Sequence, residues 1–355
     1  MENLSVEEST RNWKFSFFTI WSGQAISLLG SQLVQFALIW WLTKTTGSAT
    51  VLATATLVGL IPQVFIGPVA GALVDRWSRR GIMVVADSLI ALATLGLVVL
   101  FWTGIVQVWH VYLLMFIRSA AGGFHWPAMQ ASTSLMVPKE HLTRVQGLNQ
   151  MLQGAVSIGA APLGALLLVF LPMQGILGID IGTAMLAVIP LLFIAVPQPL
   201  RGETTEASTG RTTLWQDLKA GLRYVWAWPG LVMILGMATL INLLVTPAFA
   251  LLPILVTGHF GGQAMQLAWM ESAWGIGVVV GGLTLSAWGG FRRKVATSLV
   301  GLILMGVALS VIGVLSPSAF WLAVKASLAE TCDFNSETRR PGVNSSSRIR
   351  MAPPA

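Results

Sequence analysis

The chain has 355 residues, of which 55% are hydrophobic and only 10% charged, with a mean hydropathy of +0.74. Soluble domains carry about 25% charged residues, so a water-facing globular surface is excluded and the length measures membrane-crossing helices. The single cysteine, Cys332, excludes a disulfide framework and a cysteine metal site. The net charge of +7 invites a nucleic-acid reading, which the placement of the charges removes below.

Residues Met1 to Asn12 are polar and acidic and lack the basic-then-apolar layout of a cleaved signal. The first apolar segment is longer than a signal core, so it is expected to stay in the mature protein. Nine full spans are predicted at about 17–42, 50–74, 82–103, 107–128, 144–170, 175–196, 231–256, 266–288 and 295–315. Each is long enough to cross roughly 30 Å of hydrocarbon. Short turns such as Thr46-Gly47-Ser48, Pro138-Lys139-Glu140 and Gly261-Gly262 join them. The one long connection, Pro197 to Pro229, begins polar and then sets Leu214, Trp215, Leu218, Leu222, Val225 and Trp226 at helical spacing, with Lys219 and Arg223 among them. That pattern predicts an amphipathic helix along the membrane surface; a solvated linker helix is the plainer alternative.

Basic residues alternate from turn to turn. With the N-terminus inside, 14 of the 21 lie in inner segments, from Arg11 and Lys14 through Arg79, Arg80, Lys139 and Arg144 to Arg292, Arg293 and Lys294. The outer turns hold only Lys44, Arg118 lies within a span, and five lie in the tail. This is the asymmetry of a protein whose N-terminus is cytoplasmic. Charges scattered among short turns form no continuous patch, so nucleic acid is not an expected partner.

The second span ends in Gly71-Ala72-Leu73-Val74-Asp75-Arg76-Trp77-Ser78-Arg79-Arg80. A carboxylate among guanidiniums at a helix end can form a pairing network that breaks and reforms. The same residues also fit a purely topological role, with Asp75 offsetting the arginines. The run resembles the loop signature of the major facilitator superfamily, G-x-L-x-D-R-x-G-R-[RK], with Ser78 where the family has glycine. The resemblance implies an inner gate at Gly71, Asp75, Arg76, Arg79 and Arg80. In the fourth span, Arg118-Ser119-Ala120-Ala121-Gly122 is similar to the family's second signature, which implies a role for Arg118 in proton coupling. An arginine at that depth is costly and is usually paired or faces a wet cavity; a structural arginine held by helix carbonyls is the alternative. In the fifth span, Gly154 to Gly164 is similar, in a degenerate form, to an antiporter signature, implying a pivot at Gly159, Pro162 and Gly164. Small residues there also fit ordinary close packing. The phrase Trp21-Ser22-Gly23-Gln24 and the run Pro138 to Asn149 look most like the macrolide-efflux branch, and the resemblance covers about residues 13–325.

The resemblance implies an all-α membrane fold of the bacterial plasma membrane. The chain is expected to divide into a six-helix bundle at 1–196, a cytoplasmic linker at 197–230 and an incomplete second bundle at 231–325. Gly281-Gly282 with Trp288 to Lys294 echoes the first signature without its acid, as a parallel repeat would. The family has twelve spans, whereas this sequence turns polar within the tenth, so residues 326–355 are expected to be a disordered, non-native tail. The implied activity is proton-driven export of macrolide-like or other lipophilic molecules, with small lipophilic substrates, protons and the lipid bilayer as partners and no cofactor. An importer or siderophore exporter of the same fold, or a non-transporting truncated remnant, stays open.

Other polar residues within spans are few. Gln24, Gln32 and Gln35 lie on the first span and Asn149, Gln150 and Gln153 open the fifth. Asp87 and Asp180 are expected near helix ends, facing water or capping, and His125 at the interface, beside a kink at Pro127. Glu271 is a candidate second-half proton site. A mostly apolar and aromatic cavity lining is expected, which suits lipophilic substrates. A membrane enzyme would need clustered catalytic or metal-spaced groups, and His110, His125, His141 and His259 are scattered. With no P-loop, ATP drive is not expected.

Overall fold

A computed structural model describes residues 13–74, 77–194, 214–273 and 275–276. Asp75, Arg76, most of the eighth predicted span, the ninth, the second-half echo at 281–294 and the tail lie outside the described residues. Those that are described form helices and short connections, with no strand among them.

The helices are α1 (Trp13–Thr46), α2 (Ala49–Val74), α3 (Arg79–Thr103), α4 (Val108–Met136), α5 (Leu142–Phe170), α6 (Met173–Phe193), α7 (Leu214–Ala227) and α8 (Pro229–Ile254). A π-helical turn, Leu255–His259, extends α8, and a further helical stretch covers 264–273. Six helical segments among the described residues are long and apolar enough to cross a membrane. Turn chemistry sets the connections. Gly47 (φ 57°) and Gly104 (φ 72°) adopt the left-handed conformation that side chains disfavour, which lets the chain reverse within a few residues. Ser78 is the N-cap of α3, its hydroxyl accepting from the Gly81 N–H at 2.9 Å. The departure from the family's glycine therefore has a local use.

Two helices differ from expectation in length. α1 extends about four residues past both predicted ends, and α4 continues through Pro127 to Met136 instead of ending near 128. Ser132, Thr133 and Ser134 bond their hydroxyls to the carbonyls of Ala128, Met129 and Ala131. These polar residues look like a loop in sequence, but each returns its hydrogen bond to its own helix.

α1 packs most extensively on α6 and α5, α2 on α4, and α3 on α4 and α6. Consecutive helices run antiparallel, and two apolar clusters form at opposite ends of the bundle. One joins Leu38, Leu42, Leu52, Leu97, Val111, Ile176 and Leu177; the other joins Ile20, Val74, Ile82, Met83, Ala128 and Leu191. The polar side chains lie between them. The outer surface is apolar as well, with Phe65, Trp102 and Phe193 at 73%, 82% and 83% exposure. Rings displayed so openly call for hydrocarbon as the surrounding solvent.

Prolines open the bundle to close contacts. Pro190 has no N–H for the Leu186 carbonyl four residues earlier. Gly23 of α1 packs on that carbonyl so tightly that a Cβ would lie 2.7 Å from it. Pro162 likewise releases the Ile158 carbonyl in α5, and Ser272 Oγ of the 264–273 helix donates to it at 2.7 Å. A backbone acceptor in lipid must be satisfied within the protein. Ser272→Ala is therefore expected to cost about 1–3 kcal/mol, read as a lower melting temperature of the detergent-purified chain, with Ser272→Thr restoring it.

Candidate functional site

A cavity of about 420 Å³ lies among α1 to α5, between the two apolar clusters. On α1, Gln24, Leu28, Ser31, Gln32 and Gln35 recur at spacings of three and four and so line one face. Asn149, Leu152 and Gln153 do the same on α5, and Trp21 Nε1 donates to Asn149 Oδ1 at 2.7 Å to join the two helices. Among the described residues the lining carries seven carboxamides and, beside the His125 imidazole, the ring of Trp126. The mostly apolar lining expected from composition is found, whereas its aromatic part is corrected: Leu28, Ile90, Met115, Met129 and Leu152 supply apolar wall beside Trp126. The amides are few in the whole chain but concentrate on the inward faces, because lipid occupies the outward ones. Gln150, one position along from Asn149, is turned to the exposed side instead.

Arg118 sits on the cavity wall with its side chain 10% exposed, and Asp180 of α6 backs it from outside the lining. The Arg118 Nη1 to Asp180 Oδ2 distance is 2.5 Å, and Arg118 Nη2 donates to the Ser31 carbonyl at 3.1 Å. Asp180 also accepts from Ser31 Oγ and Thr94 Oγ1, each at 3.2 Å. A carboxylate at 1% exposure is thereby surrounded by donors from α1, α3 and α4. A buried ion pair persists when further hydrogen bonds satisfy its remaining lone pairs.

Asp87 forms a second cluster. It lies on α3 at 6% exposure, where Gln24 Nε2 donates to its Oδ2 at 3.0 Å and His125 Nε2 lies 3.4 Å from its Oδ1. His125, on α4, is turned to the cavity, not to the membrane interface. The placement of Asp87 and Asp180 near water is likewise corrected. Both stand about two turns inside their helices, and packing by neighbouring helices, not distance from an end, decides their burial.

The proposed gate residues are partly in view. Gly71 is exposed in the last turn of α2, while Asp75 and Arg76 lie outside the described residues. Arg79 is buried and donates from Nη1 to the Ala131 carbonyl of α4 at 2.9 Å; Arg80 donates to the Leu192 carbonyl of α6. Arg80 therefore caps α6 and Arg79 ties α3 to α4, structural uses that the motif alone does not reveal. Of the pivot residues, Gly164 abuts Phe36 of α1, where a Cβ would lie 2.9 Å from the ring. Gly159 meets nothing within 4 Å among the described residues, and Pro162 lies inside a continuing helix. A comparable approach, here against backbone, is that of Gly275, whose Cβ would stand 3.0 Å from Ser157. Glu271 is half-buried in the 264–273 helix, outside the cavity lining.

An apolar helical bundle enclosing a cavity set with carboxamides, with a buried ion pair in its wall, defines a polytopic membrane carrier. The chain belongs to the Major Facilitator Superfamily, which it matches over residues 20–330. It is similar to Macrolide efflux protein A of Streptococcus pyogenes, 34% identical over 317 residues, which is 89% of this chain and 77% of that protein. Macrolide efflux protein A of Enterococcus faecalis is 31% identical over 281 residues, 79% of this chain and 85% of its own length. The Multidrug efflux pump Tap of Mycolicibacterium fortuitum is 24% identical over 317 residues, 85% and 73% of the two chains.

Proposed function

We propose that this chain exports macrolide-like and other small amphipathic drugs across the plasma membrane by alternating access, driven by proton entry. The carrying observation is the amide-lined cavity with the Arg118–Asp180 pair in its wall; the efflux proteins similar to this chain support the direction of transport. Arg118 takes part in coupling through its partner. A guanidinium keeps its proton at physiological pH, so Arg118 serves as the fixed charge of the pair and Asp180 as its counter-ion. Protonating Asp180 would strand Arg118 as a buried cation, at a cost of several kcal/mol. A rearrangement that returns Arg118 to water or to another acceptor removes that cost.

The rest of the mechanism follows from position. Asp75, Arg76, Arg79, Arg80 and Gly71 form the inner gate, and Gly159, Pro162 and Gly164 the pivot of α5. The N-terminus is cytoplasmic, and α7 lies along the cytoplasmic membrane surface with Lys219 and Arg223 exposed towards lipid phosphates. Bacterial cells expressing the chain should accumulate less radiolabelled erythromycin than cells with an empty vector. A protonophore should restore accumulation to the control level. Equal accumulation in both strains before the protonophore is added would rule out export. Reporter tags fused in the turns near Arg79 and Arg292 should both remain cytosolic.

A further inference from the structure

We propose that Trp21 is a positioning residue that fixes the Asn149 carboxamide as a hydrogen-bond donor to an oxygen acceptor (a carbonyl, ether or hydroxyl) on the exported molecule. The inference rests on the efflux reading and names the substrate class for the same cavity: oxygen-rich molecules such as hydroxylated lactones.

Two stretches of sequence that the gate, the ion pair and the pivot leave unused meet here. Trp21 to Gln24 lies on α1, and Asn149 ends the run that begins at Pro138. Across 128 residues, Trp21 Nε1 donates to Asn149 Oδ1 at 2.7 Å. An indole N–H donates and cannot accept, so the chemistry of the partner turns the carbonyl oxygen of Asn149 towards Trp21. Its Nδ2, with two N–H groups, is the end left over. Asn149 lines the cavity with Leu152 and Gln153, about one turn further along the same face of α5. Among the described residues the Asn149 Nδ2 finds no acceptor. Water satisfies such a donor in an empty cavity. A guest that displaces the water without offering an acceptor leaves the donor unsatisfied, which is costly.

Trp21 is itself held in place. Phe18 meets its ring edge-on at 6.4 Å, and the ring packs against the cluster of Phe17, Val137 and Val145. Gln24, one turn further along α1, shows the same device with the opposite polarity. Its Nε2 donates to Asp87 Oδ2 at 3.0 Å, which leaves its Oε1 as the end available to the cavity. The wall thus carries amides whose polarity is set by their partners on other helices. A tie between α1 and α5 alone would need only the Oδ1 acceptor, since polar contacts join membrane helices without facing a cavity. The unused donor on the cavity side is what points to a ligand.

The test measures, by scintillation proximity, binding of tritiated erythronolide B to the full chain purified in detergent. This probe is an uncharged, hydroxylated keto lactone. Asn149→Leu should bind it about tenfold more weakly, the fold-change of one hydrogen bond. Asn149→Asp, which still accepts from Trp21 but offers no N–H, should lose at least as much. Trp21→Phe keeps a ring but frees the amide to turn, and should lose about three- to tenfold. Because Trp21 acts through Asn149, Trp21→Phe should cost nothing further in the Asn149→Leu background. A merely structural tryptophan would lower the affinity there by the same factor again. Gln150→Leu, on the exposed side of α5, should bind as wild type does. Thermal unfolding followed by tryptophan fluorescence identifies folded variants, and if Asn149→Leu does not fold, Asn149→Asp takes its place throughout. Unchanged affinity in the folded Asn149 variant, or an additive loss in the double variant, overturns the inference while leaving erythromycin export in cells as evidence for the efflux reading. Binding as expected, without erythromycin export in cells, strikes the efflux reading alone. A wild type that does not bind erythronolide B overturns the inference, and the export assay then judges the efflux reading by itself.

Discussion

Asp180→Ala should destabilise the protein by about 3–5 kcal/mol, the range for breaking one side of a buried ion pair. Asp180 is 1% exposed and takes hydrogen bonds from Arg118, Ser31 and Thr94. Its loss removes all of them and leaves the Arg118 cation in a low-dielectric wall with the Ser31 carbonyl as an acceptor. The double variant Arg118→Gln/Asp180→Asn should recover most of the lost stability, because neither charge is then stranded. Thermal unfolding of the purified chain, followed by tryptophan fluorescence, reads both. Transport should separate from stability: the double variant folds but fails to couple erythromycin export to the proton gradient. A single Asp180→Ala variant as stable as wild type would show that the pair contributes nothing to the bundle.

The second large effect is steric. Gly23→Val should be destabilised by about 1–3 kcal/mol or more, because its Cβ would lie 2.7 Å from the Leu186 carbonyl oxygen and 3.2 Å from the Ala187 Cα. Those neighbours are backbone, so relief requires α1 and α6 to separate along their most extensive contact. The proper comparison is Gly96→Ala on α3, where a Cβ meets nothing within 4 Å among the described residues. That change should be neutral or stabilising by up to about 1 kcal/mol, from helix propensity alone. The folded fraction in detergent, measured by size-exclusion chromatography after heating, should fall for the first and not for the second.

Particular residues show how much of the site could be read ahead of the structure. Arg118 stood out because an arginine inside an apolar run is rare and costly, and the cavity is built around it. Gln24, Gln35, Asn149 and Gln153 stood out for the same reason. The positions of Asp87, Asp180 and His125 are not legible in the sequence, since each lies within a few turns of a helix end and distance along the chain does not measure distance from water. The helical spacing of Gln24, Ser31 and Gln35 offered a usable signal: it marks one inward face of α1 to which other polar groups must turn.

Composition and the order of apolar and basic segments were enough to establish an all-α membrane protein, because hydrocarbon admits only structures that satisfy their own backbone, and apolar runs of about 20 residues fit the helix where a barrel strand needs about 10. Which polar groups meet, and which of them face the cavity, was decided only by tertiary packing. Asp180 is 62 residues from Arg118, and Asp87 is 63 from Gln24. No periodicity within one helix specifies its partner across the bundle, so the charge balance of the cavity emerges only when α1, α3, α4 and α6 are packed together.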